Sequence, residues 1–146
     1  MANVIWRGPV HLAQPNTKTG KTAASILPGT VVTVKSGVIA VATSGKDDIY
    51  ILSNRAYIGE TLDVAIPSGD TAEAFKIADQ YEFNVRMAEA TYAQGAQLSV
   101  NATGQFKAAV SGDVVVAVFD EEASRAVSAG GLGDVRILAN SYMMGE

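Results

Sequence analysis

A chain of 146 residues without cysteine excludes a disulfide framework, a thiolate metal site and a thiol nucleophile, and a single histidine excludes a histidine pair on a metal. With 48% apolar and 18% charged residues the composition is that of an ordered globular protein, long enough for a self-sufficient core without a second domain. The net charge of −4 is unevenly spread: residues 1 to 46 carry Arg7, Lys18, Lys21, Lys35 and Lys46 and no carboxylate, whereas all 15 acidic residues lie at or after Asp47.

In chain order, Val4 to Leu12 predicts a short edge strand broken by Gly8 and Pro9, because proline lacks the amide that a central strand needs. Gln14 to Ser25 is polar and turn-rich without apolar periodicity, and reads as a long loop or arm. Thr30 to Lys35 and Val38 to Thr43 are rich in β-branched residues and predict antiparallel strands joined through Ser36-Gly37, with Ile49 to Leu52 continuing the sheet. Gly59 to Pro67 alternates Leu62, Val64 and Ile66 with polar or small residues, which predicts a half-buried strand closed by a turn at Pro67 to Asp70.

Thr71 to Asp79 is the best helical window, with Ala72 and Phe75 on one stripe and Asp70 or Thr71 as cap. Tyr81 to Ala88 has the cleanest strand alternation. Gln97 to Val100, Phe106 to Val110, Val114 to Phe119 and Val135 to Ala139 bring the total to about nine short strands, with a helical turn or flexible loop over Asp120 to Gly133. Short strands at regular spacing with glycine turns predict an all-β domain, a small β-barrel or β-sandwich.

Two stretches share a glycine spacing. Gly29, Gly37 and Gly45 in Pro28 to Leu52 answer to Gly95, Gly104 and Gly112 in Gln94 to Phe119. Arg55, Ala56, Asp63, Val64 and Ile66 are echoed by Arg125, Ala126, Asp134, Val135 and Ile137. This predicts an internally duplicated unit, about 28–66 and 94–138, inside one β domain over 26–146 that follows an N-terminal arm over 1–25.

Motifs for chemistry are weak. Thr19-Gly20-Lys21-Thr22 resembles the end of a phosphate-binding loop, but Pro15 stands where its first glycine belongs and no buried strand leads into it. His11 has no glycine elbow to serve, and reads as structural or interfacial. The acidic pairs at Asp47-Asp48 and Asp120 to Glu122 read as solvated turns, and Asn101-Ala102-Thr103 as an ordinary turn. Neither a catalytic residue nor a cofactor or metal site is expected, and the chain does not read as an enzyme; a pocket joining His11 with Asp120 or Glu121 would reopen that question. Trp6 beside Arg7 is the leading partner anchor, with core packing of an N-terminal strand as its alternative.

The charge asymmetry favours contact of the basic N-terminal third with an acidic surface, either another chain or the acidic body of its own subunit. An acidic body without interleaved basic and aromatic residues argues against nucleic acid. No apolar run approaches the roughly 18 residues of a membrane span, and Arg7 and Pro9 break any signal core, so a soluble, unprocessed chain with no membrane partner is expected.

GAQLSVNATGQFKAAVSGDVVVAVFDEE from Gly95 to Glu122 and ETLDVAIPSGDTAEAF from Glu60 to Phe75 are similar to the small capsid decoration, or cement, proteins of tailed bacteriophages. The resemblance covers about two thirds of the chain through loose patterns. It implies a compact β domain on the outside of a capsid shell that oligomerises, trimers before dimers, and clamps neighbouring major capsid subunits. It also implies gripping by an N-terminal arm, which falls here on Ala2 to Ser25, with Trp6, Arg7, His11, Lys18 and Lys21 as the expected contacts. Localisation on the virion follows, after a soluble stage in the host cytoplasm. The alternative from the residues is a carbohydrate-binding or tail-associated β module presenting Tyr50, Tyr57, Tyr81, Tyr92 or Tyr142. A tail packed wholly into its own subunit beside a deep cleft of converging ionisable groups would overturn the expectation that the chain works through the surface it lays against others.

Overall fold

A computed structural model gives the fold over residues 5–9, 15–55 and 58–143. The chain is all-β. Its strands are β1 (Trp6–Gly8), β2 (Thr17–Thr22), β3 (Val31–Lys35), β4 (Val38–Val41), β5 (Tyr50–Leu52), β6 (Thr71–Phe75), β7 (Glu82–Met87), β8 (Ala90–Tyr92), β9 (Gln97–Val100), β10 (Phe106–Ala108), β11 (Val114–Phe119), β12 (Arg125–Val127) and β13 (Gly131–Met143). Barrel one closes in the order β2-β4-β3-β5-β6. Barrel two runs β7-β10-β9-β11-β13 and closes where β13 returns to β7; β1 adds to β7, and β8 pairs with β12 outside the barrel.

The two barrels share order, strand sense and register. In each, the first strand is parallel to the third and antiparallel to the last: β2 to β4 and β6, β7 to β10 and β13. Val32 pairs with Val41 and Tyr50, and Leu98 pairs with Ala108 and Ala117. Leu52 pairs with Ala74, and Phe119 with Val135. Lys21 pairs with Thr71 where Arg86 pairs with Leu132. The register therefore sets each residue of one barrel against a counterpart in the other: Lys18 against Phe83, Lys21 against Arg86, Glu73 against Asp134, Phe75 against Arg136.

Local chemistry explains the elements. Ser36 at φ 52° and Gly37 at φ 74° both sit in the left-handed region, the two-residue turn whose twist suits a hairpin, and it sets Lys35 opposite Val38. Alternation points Val32, Val34, Ile39, Tyr50, Leu52, Ala72 and Ala74 into barrel one, with Ile26 and Ile66 completing the cluster. Two alanines on β6 suit an interior of only five strands, which has little room. Each fully buried Val, Ile or Leu contributes about 1.5–3 kcal/mol to burial.

Outward-facing Val31, Ile51 and Phe75 of barrel one belong to the same buried cluster as Phe83, Val85, Leu98 and Phe119 of barrel two. One core therefore spans the joint. Backbone bonds cross it as well: the Val31 amide donates to the Gly104 carbonyl at 2.8 Å, and the Arg86 amide to the Gly29 carbonyl at 2.9 Å.

Several local expectations change. Thr17–Thr22 is a barrel strand rather than a loop, because β6 and β4 satisfy its amides and carbonyls despite its polar side chains. Thr71–Phe75 is a strand and not a helix: Ala72 and Ala74 point inward while Thr71 and Glu73 point out, and β2 and β5 flank it. Gly59 to Pro67 forms no strand; Leu62 and Ile66 are buried, Val64 is exposed, and Ile66 makes one isolated bridge with Ile26. Asp120 to Gly133 holds β12 and the start of β13 rather than a helical turn or open loop. The echo between Asp63 and Asp134 has no register meaning, since Asp134 stands where barrel one has Glu73. Thirteen strands occur among the described residues, against the nine expected, because several have only three residues.

Candidate functional site

The anticipated contact residues divide between the barrels. Trp6 on β1 is half-buried and makes edge contacts with Tyr81 (4.9 Å between ring centres, 71°) and Phe83 (5.5 Å, 62°). Arg7 pairs with Asp134 at 3.3 Å. Both therefore rest on barrel two of their own chain. Lys18 and Lys21 belong to β2 of barrel one, where Lys18 lies 5.5 Å from the centre of the Tyr50 ring and Lys21 points to solvent. His11 lies outside the described residues. Thr19 to Thr22 lie inside a strand with no helix after them, so the phosphate-loop likeness has no structural counterpart.

Beside Arg7 opens a cleft of roughly 790 Å³. β7 supplies its floor through Asn84 and Arg86, which are 6% and 7% exposed. The segment leading to β12 supplies Asp120, Glu121 and Glu122, β12 supplies Arg125, β13 supplies Asp134, and barrel one supplies Asp63. Alternation along Tyr81 to Ala88 puts Asn84 and Arg86 on one face, but only the tertiary fold covers that face.

Most of these charges are engaged with one another. Arg125 holds Glu121 through two bonds of 2.8 and 2.7 Å, which lowers the Glu121 pKa and raises that of Arg125. Burial raises the Asp134 pKa, partly offset by Arg7. Glu82 is raised by its hydrogen bond with Asp120, by burial and by the nearby charges of Asp120 and Asp134. Arg86 donates from Nε to the Pro28 carbonyl at 2.9 Å, from Nη1 to the Gly130 carbonyl at 3.1 Å, and from Nη2 to the Leu62 carbonyl. Burial lowers its pKa, and Asp63 at 3.9 Å counters that.

The cleft gathers ionisable groups beside an N-terminal strand packed on its own subunit, an arrangement that counts toward chemistry. Guanidinium groups take up Glu121 and Asp134, and no group of three metal-ligating side chains exists among the described residues. The arrangement can hold segments together and present charge. Two other candidates sit in turns: Asp47 accepts from the Thr43 amide at 2.9 Å, and the side-chain amide oxygen of Asn101 accepts from the amides of Thr103 and Gln105. Tyr50 and Tyr92 are buried and Tyr81 is half-buried against Trp6, so these three form no exposed sugar-binding face; Tyr57 and the Tyr142 side chain lie outside the description.

No family model matches the chain, and no curated protein does. Among solved structures, it is similar to the head fiber gp8.5 N base of bacteriophage phi29, with a TM-score of 0.58 and 14% identity over 88% of this chain and 98% of that one. The likeness extends over both barrels and establishes the fold.

Proposed function

We propose that this chain is a structural virion protein that sits on the outer surface of a bacteriophage capsid and stabilises it by bridging neighbouring major capsid subunits. The observation that carries this reading is the tandem-barrel fold, shared over nearly the whole length of a phage head fiber base. The shared core supports it, because a bridge between subunits must resist deformation. So does the low charge of 18%, which leaves surface suited to being covered. Many copies on a symmetric shell each favour the assembled state by mass action, so modest affinities sum to a large effect. The role needs no turnover and no cofactor, and its partners are the shell and further copies of the chain, trimers before dimers, with neither nucleic acid nor membrane.

Undecorated capsids mixed with purified protein provide the test. Saturable co-sedimentation and a raised temperature of capsid disruption are expected; absence of both rejects the reading.

A further inference from the structure

We infer that copies of this chain associate head to tail, the bare face of barrel one around Gly37 receiving the bare face of barrel two around Gly112 of a second copy. This deepens the structural role proposed above by naming a partner and a surface.

The joint inside the chain is a contact between two unlike faces of one fold. Barrel one contributes the region of Gly29 and Gly45: a Cβ on Gly45 would lie 2.9 Å from the Val114 carbonyl oxygen, and one on Gly29 would lie 3.4 Å from the Arg86 nitrogen. Barrel two contributes its hairpin turn: a Cβ on Gly104 would lie 2.7 Å from Thr30, Val31 and Val41. Register makes Gly95, Gly112 and Gly37 the counterparts of Gly29, Gly45 and Gly104. Around all three, no atom lies within 4 Å of the corresponding Cβ position. Each barrel thus carries both kinds of glycine turn; the chain packs Gly29, Gly45 and Gly104 into its joint and leaves Gly37, Gly95 and Gly112 open.

Each open face carries an exposed valine. On barrel one, Lys21, Val38 and Lys35 stand side by side across β2, β4 and β3 through the pairs Lys21↔Val38 and Lys35↔Val38. Val38 is 45% exposed, and neither lysine forms an ion pair among the described residues. On barrel two, Val110 is 57% exposed two residues before Gly112. Beside Gly112 the carboxylate of Asp113 is paired with Lys107 at 2.8 Å, so the attraction to the lysine row rests on the net charge of residues 76–143, eight carboxylates against five cations, and not on that turn. Where the internal joint uses Val31 and Phe75, barrel two has Gln97 and Arg136. The joint between copies is therefore more polar, weaker and dependent on concentration. Unlike faces make it heterologous, giving a closed ring if the rotation closes and a filament if it does not.

Sedimentation velocity on the full chain over a wide concentration range tests this, using Val38→Glu and Val110→Lys, each changed at an exposed position and checked for unaltered thermal unfolding. Wild type should associate, each variant alone should be monomeric, and an equal mixture of the two should associate again, at least to a dimer, since one joint remains intact and the other brings opposite introduced charges together. Zero-length cross-linking of wild type should join Lys21 or Lys35 to a carboxylate of barrel two in a second copy. Wild type that is monomeric throughout overturns the inference, as does association of either variant alone. A monomer that binds capsids through the Val38 face also overturns it, while leaving the proposed role standing.

Discussion

The Arg86 guanidinium leaves barrel two and donates to the carbonyl of Pro28 in barrel one at 2.9 Å, while its other nitrogens reach the Gly130 and Leu62 carbonyls. Its counterpart Lys21 points to solvent. The same position of a duplicated fold thus serves as an internal clamp in one barrel and as open surface in the other.

Replacing Arg86 with Met should cost about 3 kcal/mol, because buried carbonyl oxygens lose charged donors that water cannot readily replace. Lys21→Met should stay within about 0.5 kcal/mol. Urea unfolding of the two variants measures the difference, and wild type should unfold in one transition because one core spans both barrels.

Gly104→Ala and Gly37→Ala form a matched pair, with φ of 73° and 74°. Both bear the left-handed penalty of about 1–2 kcal/mol. Gly104→Ala adds a collision with Thr30, Val31 and Val41, so it should be the more destabilising by at least ~2 kcal/mol, read as a lower denaturant midpoint.

Trp6→Ala should destabilise by about 2 kcal/mol, through lost burial and two edge-on ring contacts. Arg7→Gln, which breaks a half-exposed pair with Asp134, should cost less than ~1 kcal/mol. Thermal unfolding reads both, and the single tryptophan reports the state of β1 by its fluorescence.

Glu82 has a folded pKa above its ordinary value, so its ionised form burdens the fold once pH exceeds that raised pKa, and the burden is gone below the unfolded pKa. Glu82→Gln should therefore stabilise by about 0.5 kcal/mol at neutral pH and by nothing below pH ~4. Glu121 has the opposite sign: Arg125 depresses its pKa, so its contribution is complete above the unfolded pKa and fades as pH falls through the folded one. Glu121→Gln should lower stability at neutral pH, with the deficit shrinking in acid. Melting temperatures across pH check both signs.

Alternation and turn chemistry alone determined the all-β class, the Ser36-Gly37 hairpin, β5, β7 and the recurrence of glycines that marks a doubled unit, because these depend on φ preferences and side-chain periodicity within a few residues. Segments that break those local rules became strands through their neighbours. The polar Thr17–Thr22 and the helix-like Thr71–Phe75 pair with each other, so long-range hydrogen bonds outweighed propensity. Tertiary structure also decided the cleft, which draws Asp63, Arg86, Glu121 and Asp134 from distant parts of the chain. It alone decided which of two equivalent glycine turns is buried in the joint and which is free, since that depends on what packs against a residue and not on the residue itself.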